Sequence, residues 1–264
     1  MYQDIIYEET GKVATITLNR PAKMNALSDQ MRSEIRQVVA HLQRSNEIQI
    51  VILTGAGKAF CAGGDINVMK ANIDKQIPYE DRLMAYRRDV VEMVQTIKSI
   101  PQLLIAKLNG ATFGAGCSLA LLCDIRIAAS HVKFGLPFAK RGLIPDWGAS
   151  YYLPRVIGYA KAIELSVSGR TFSAQEAKAI NLIDYEVPEL ELDEFISAYI
   201  NKVLMSSPFA IRIIKKNMEA SWHQSLETAL EQEASLQSSC YLSDDHREGV
   251  ESFIDKRQPE FNGK

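Results

Sequence analysis

Two glycine-rich turns, Ala62-Gly63-Gly64-Asp65 and Gly114-Ala115-Gly116, each follow a short apolar run, and a third loop, Ile144-Pro145-Asp146, adds a lone carboxylate soon after the second. Small residues at such turns leave main-chain amides uncovered, so a ligand oxygen can come close to an N–H. The second turn runs straight into a helical pattern, where the amides gain the partial positive charge of a helix start. Two amides meeting one oxygen form an oxyanion hole, worth roughly 3 kcal/mol per donor. Taken singly, each turn reads better as a tight bend that lets helix and sheet pack closely. Neither fits GxGxxG, and GxxxxGK[ST] is absent, so a nucleotide phosphate site is not supported.

The bulk composition narrows the field. A chain of 264 residues is large for one domain but fits one α/β core with an appendage. Apolar residues at 47% and charged residues at 23% are ordinary for a soluble globular protein. A formal charge of −2 argues against nucleic acid as a partner, because phosphate backbones need a basic face. The most basic stretch, Arg82–Arg88, reads as a solvated helix face. Cys61, Cys117 and Cys123 stand in apolar surroundings without CxxC spacing, and read as reduced buried residues rather than bridges or metal ligands. The first residues carry no signal-peptide pattern and no run is long enough to span a bilayer. The expectation is a cytoplasmic protein with no membrane partner.

Along the chain, Ile5–Glu8 and Val13–Leu18 read as a hairpin turning at Thr10-Gly11-Lys12. From Ser28 the period becomes helical, with Met31, Ile35, Val38, Val39 and Leu42 on one stripe. Ile50–Leu53 is a continuous apolar strand of the kind buried on both faces. The cycle returns with a helix around Arg88–Ile97 presenting Val91, Val94 and Ile97, then strand Leu103–Ala106, a small-residue helix Cys117–Leu122, and strand Ile125–Ala128. Recurring strand, glycine turn and helix predict stacked ββα units. Ser173-Ala174-Gln175-Glu176 has the form of a capping box. Beyond about residue 190 only helices are expected, at Leu192–Met205, Phe209–Ala220, Ser225–Leu242 and Asp244–Ile254. Without a sheet of their own they must bury their stripes against the core or another subunit.

The stretches Leu18-Asn19-Arg20-Pro21, Asn25-Ala26-Leu27, Ala59–Asp65, Asn109-Gly110, Gly114–Cys117, Cys123-Asp124 and the helix start Ser173–Ala179 resemble, in order and spacing over nearly the whole chain, the enoyl-CoA hydratase/isomerase (crotonase) family. The resemblance implies an α/β fold with a ClpP-like spiral of ββα units in residues 1–190. It also implies a helical trimerisation region in 191–264, a homotrimer or dimer of trimers, and an acyl-CoA thioester substrate. No separate cofactor or metal is implied, since coenzyme A belongs to the substrate. The oxyanion donors would be the N–H groups of Gly64 and Ala115. Ala115 stands where many members have glycine, a harmless change where only the amide is used.

Hydratases of this family carry one Glu just after the second glycine turn and another after the following strand, where this chain has Ser118 and Phe138. Water addition wants two facing acid–base groups, whereas moving a double bond needs a single base that takes and returns a proton. Asp146 is the candidate. Phe138–Asp146 looks like the loop of isomerases acting on ring-epoxidised phenylacetyl-CoA, and Arg247–Phe261 resembles the same group; an Asp at this position also serves dienoyl-CoA isomerases. From the residues alone, Asp146 reads equally as an N-cap for the helix that follows. Phe138, Leu143 and Trp147 are expected to desolvate the carboxylate and raise its pKa.

Further substrate contacts are expected from Ala62, Asp65, Phe138, Trp147 and Ser118, although Ser118 by itself reads better as a small packing residue. Lys23, Lys70 and Lys256 are placed at the CoA phosphates by loose family analogy, with solvated surface as the alternative for each. Asp124 and Arg126 are expected to pair with each other. None of the four histidines has a Ser or Cys partner at motif spacing, and each is expected at the surface or at a cap. Three functions fit these residues: an acyl-CoA isomerase, a hydratase or hydrolase in which Asp146 activates water, and a non-catalytic acyl-CoA-binding protein.

Overall fold

The protein is described here as a computed structural model covering residues 2–264. Among the described residues there are ten strands: β1 (Ile5–Thr10), β2 (Val13–Leu18), β3 (Ile50–Gly55), β4 (Ala59–Cys61), β5 (Leu103–Leu108), β6 (Ala111–Phe113), β7 (Ile125–Ala129), β8 (Lys133–Gly135), β9 (Thr171–Ser173) and β10 (Tyr185–Val187). They form a six-stranded sheet in the order β1-β2-β3-β5-β7-β10 and a four-stranded sheet in the order β4-β6-β8-β9. Each cycle of the chain gives one strand to the large sheet and the next to the small one, as β3 and β4, β5 and β6, and β7 and β8 do. The chain then returns through helices, which is the spiral of ββα units that the sequence predicts.

Local sequence accounts for these elements. β3 lies mid-sheet between β2 and β5 and is buried along its whole length, so its apolar run is continuous rather than alternating. The helix Asp29–Leu42 starts at Ser28, whose hydroxyl accepts from the Met31 N–H at 3.0 Å, and buries Met31, Ile35, Val38, Val39 and Leu42. Its one buried acid, Glu34, accepts main-chain hydrogen bonds from Gln3, Asp4 and Ile5 and so fastens the start of β1.

Three expectations are corrected. The helical stretch before β5 is interrupted by a π-type turn at Arg87–Val91, ahead of the helix Glu92–Lys98. The extra residue rotates the stripe, so Met93 and Ile97 are buried while Val91 is exposed. Asp124 and Arg126 do not pair: Arg126 binds Asp184 at 3.1 Å, and Asp124 takes Lys215 at 2.8 Å. Ser173 caps the helix Ala174–Ala179, but the Glu176 carboxylate that would close the box is bound to Arg170 instead.

After β10 only helices follow, at Leu192–Val203, Pro208–Ser221, Leu226–Tyr241 and Asp244–Asp255. Between the last three lies a cavity of about 830 Å³, lined by Ile213, Leu230, Gln237, His246 and Phe261 among others. Asp245, 2% exposed, closes one end of this layer. Its carboxylate accepts from the Ser207 hydroxyl at 2.6 Å and from the Asn262 and Gly263 N–H groups, both at 2.9 Å. Among the described residues, no helix is long and apolar enough to cross a membrane.

Candidate active site

β4, β6 and β8 are parallel neighbours in the small sheet. Adjacent strands lie about 4.8 Å apart, so segments leaving their C-terminal ends emerge side by side. Those segments are the three that the sequence singles out: 62–65 after β4, 114–116 after β6, and the longer stretch carrying Phe138 and Asp146 after β8.

The first turn is clamped from the chain's early loop. Leu27 N–H donates to the Gly63 carbonyl at 2.8 Å and Ala62 N–H donates to the Met24 carbonyl at 2.9 Å. Asn25, fully buried, donates to the Ala56 and Ala59 carbonyls, and Arg20 reaches Asp65 at 3.4 Å. The two turns are then pressed together. A Cβ on Gly116 would lie 2.1 Å from the Cys61 carbonyl oxygen, and one on Gly63 would lie 2.8 Å from that of Phe113. Gly63 (φ +91°) and Gly114 (φ +53°) also hold left-handed backbone that suits glycine. Among the described residues, the Gly64 and Ala115 N–H groups have no acceptor, while the N–H groups of Ala62, Gly63 and Gly114 are all engaged. Two free donors at neighbouring strand ends can receive one oxygen. The Met69 methyl lies over Gly64, within 2.5 Å of where a Cβ would stand.

Asp146 enters on the third loop. The helix Ala149–Ile157 is entered through Gly148 with no side-chain cap, so the N-cap reading of the Asp146 carboxylate is set aside. Its Oδ1 is buried without a hydrogen-bond partner. Burial pushes its pKa up to about 6, opposed only by its own main-chain N–H. Among the described residues, every other displaced carboxyl is displaced downward. At Asp65 burial is outweighed by the Asn67 N–H and by Arg20 and Lys23. Phe138 and Trp147 are buried near this loop, but Leu143 is 47% exposed and does not contribute to desolvation as expected. Trp147 holds a left-handed conformation (φ +52°), an uncommon one for a bulky residue.

The other singled-out residues divide. Asp65 caps the helix Ile66–Asp74 by accepting from Asn67 N–H at 3.0 Å, so it shapes the first turn rather than facing a ligand. Ser118 is wholly buried and its hydroxyl turns back toward the Gly114 carbonyl at 3.4 Å, which leaves nothing to offer a substrate in this arrangement. Lys23 stands beside Asp65 at the first turn, Lys70 pairs with Asp74 at 3.3 Å, and Lys256 is exposed at the end of the last long helix. Burial pushes the thiols of Cys61, Cys117 and Cys123 up to about 12, which removes thiolate chemistry near neutral pH. Arg20 and Asn25, which clamp the first turn, have no individual role assigned from the sequence. Only the early motif hints at them, as part of the stretch around Pro21.

The sequence profile of the enoyl-CoA hydratase/isomerase family matches residues 8–264. The chain belongs to this family. It is 36% identical to the 1,2-epoxyphenylacetyl-CoA isomerase of Escherichia coli (strain K12) over the full length of both proteins. It is 33% identical to the short-chain-enoyl-CoA hydratase of Clostridium acetobutylicum over 97% of each. The crystal structure of an enoyl-CoA hydratase from Bacillus anthracis superposes with a TM-score of 0.92 at 33% identity, covering 99% of this chain and all of that one. The crotonase fold expected from the motifs is the fold of this chain. Family members thus carry isomerase and hydratase names on one scaffold, and the choice between them rests on the acid–base groups.

Proposed function

We propose that this enoyl-CoA hydratase/isomerase family member is an acyl-CoA isomerase. The Gly64 and Ala115 N–H groups receive the thioester oxygen, and Asp146 takes a proton from one acyl carbon and returns it to another. The negative charge that builds on the oxygen as the enolate forms meets donors already in place, without reorganisation. The substrate is an enoyl-CoA whose double bond moves, or a ring-epoxide phenylacetyl-CoA that rearranges.

One observation carries this reading: a single unpartnered carboxyl, with a pKa near 6, on the third of three adjacent strand-end loops. Such a group is ionised near neutral pH yet basic enough to hold a proton in transit. Phe138 and the inward-turned Ser118 supply no second acid–base group for holding and splitting water. The exposed apolar side chains Leu226, Leu230, Leu242 and Phe253 on the last helices suit burial in a homotrimer or dimer of trimers, which we include in the proposal.

The test is product analysis with a Δ3-enoyl-CoA and a ring-epoxide phenylacetyl-CoA in heavy water. Isomerised product without net hydration is expected from at least one. A hydrated or hydrolysed product formed at a comparable rate would replace this reading with the hydratase or hydrolase one. Tight binding without turnover of any acyl-CoA would leave a binding protein.

A further inference from the structure

The helix Ala149–Ile157 begins directly after the acid loop, and its first turn holds the end of that loop. Ala149 N–H donates to the Asp146 carbonyl at 2.9 Å, and Tyr152 N–H donates to the Gly148 carbonyl, also at 2.9 Å. Between them Trp147 and Gly148 both hold left-handed backbone, at φ +52° and +79°. For tryptophan that conformation is strained, and it persists only where the surroundings hold it. The Tyr152 ring is one such support. It covers Gly148 so closely that a Cβ there would lie 3.2 Å from two of the ring carbons.

The far end of that ring is fixed from the C-terminal helices. The Tyr152 hydroxyl donates to Glu219 Oε1 at 2.9 Å, near the end of the helix Pro208–Ser221. Glu219 Oε2 takes Lys98 Nζ at 3.3 Å, from the last residue of the helix Glu92–Lys98. The same ammonium stands 5.3 Å from the Tyr152 ring centroid, and Trp222 packs on the ring at 5.9 Å. Alongside, Tyr151 and His223 are joined at 2.8 Å with Arg155 over the Tyr151 ring. Three helices thus meet on one phenol. A ring engaged at its face and its hydroxyl is not free to swing away from Gly148.

We infer that Tyr152 and Glu219 are positioning residues: the hydrogen bond between them seats the Tyr152 ring on Gly148 and thereby holds the Asp146 carboxylate in its buried, working place. The inference rests on the reading of Asp146 as the base of the proposed isomerisation. It makes the C-terminal helical region part of the apparatus that aims the acid. A brace serving stability alone would act on Tm and leave the chemistry of Asp146 as it is. Burial is the one upward push on that carboxyl, so its pKa reports how dry the loop is kept.

The experiment measures kcat and KM against pH for the wild type, Tyr152→Phe and Glu219→Gln, at a temperature where circular dichroism shows all three folded. Tyr152→Phe keeps the ring but loses the donor. It should cut kcat about tenfold with KM within about twofold, and move the inflection from about 6 toward the ordinary aspartate value. Glu219→Gln keeps an acceptor for the phenol and should stay within about threefold of wild type with the inflection in place. Tyr152→Phe with unchanged kcat and inflection, even at a lowered Tm, would overturn the inference, and so would a Glu219→Gln enzyme as impaired as Tyr152→Phe. A second readout needs no substrate. Asp146→Asn should raise Tm at pH 8, and by less than about half as much when introduced into Tyr152→Phe; an equal gain in both backgrounds overturns the inference. Turnover indifferent to Asp146→Asn would instead sink the isomerase reading, and the Tm comparison distinguishes the two failures.

Discussion

Gly63 packs its bare Cα against the main-chain nitrogen of Ala115: a Cβ built on Gly63 would stand 3.0 Å from that nitrogen. Two turns separated by β5 and β6 in sequence thus touch backbone to backbone. The same Cβ would stand 2.8 Å from the Phe113 carbonyl oxygen, closer than real side chains come.

Gly63→Ala therefore forces the turns apart and places alanine at φ +91°. A displaced donor should cost about 10²-fold in kcat, the loss typical of one missing oxyanion contact. Steady-state kinetics, with circular dichroism to establish that the variant is folded, checks this. A kcat within twofold of wild type would show that the contact does not set the donor geometry.

The acid makes a prediction in rate against pH. Asp146 must be ionised to accept a proton, so kcat should fall as pH drops through about 6. Asp146→Asn should lose at least 10²-fold and show no such inflection. A wild-type profile flat from pH 5 to pH 8 would contradict the assignment.

The same ionisation bears on stability with the opposite sign to a salt-bridged acid. The folded-state pKa of about 6 lies above the ordinary aspartate value of 3.8, so between them the native state binds more protons than the unfolded chain. Stability then falls as pH rises through this window, and the ionised carboxyl is a burden above it. Asp146→Asn should raise Tm at pH 8, with the advantage shrinking toward pH 4, as scanning calorimetry would show.

Asp245 draws Ser207, Asn262 and Gly263 onto one buried carboxylate. Asp245→Ala leaves those donors short of an acceptor and should lower stability by about 2–3 kcal/mol. Limited proteolysis should then cut within 256–264 faster than in the wild type.

How much of this was legible in the sequence depended on distance along the chain. The stripe of Met31, Ile35 and Val38 and the unbroken run of β3 announce their elements, because the burial pattern of each is written in local periodicity. The glycine turns could be seen, but not their contact, which is a property of β4 and β6 being neighbours in a sheet. Arg126 misled for the same reason: its partner Asp184 arrives on the connection into β10, while the adjacent Asp124 is claimed by Lys215. The π-type turn has no local signature in apolar spacing, so the apolar period puts Val91 on the buried face, where the structure exposes it. The orphaned Oδ1 of Asp146 depends on what surrounds it, and no residue count along the loop reports that.

The clasp between the Gly116 and Cys61 segments is made of main chain on main chain. Exchanges of side chain elsewhere can therefore leave that contact untouched, while the loop Phe138–Trp147 remains free to vary. A scaffold divided in this way can be retooled by altering that loop alone, and libraries restricted to residues 138–147 are where altered selectivity should be sought.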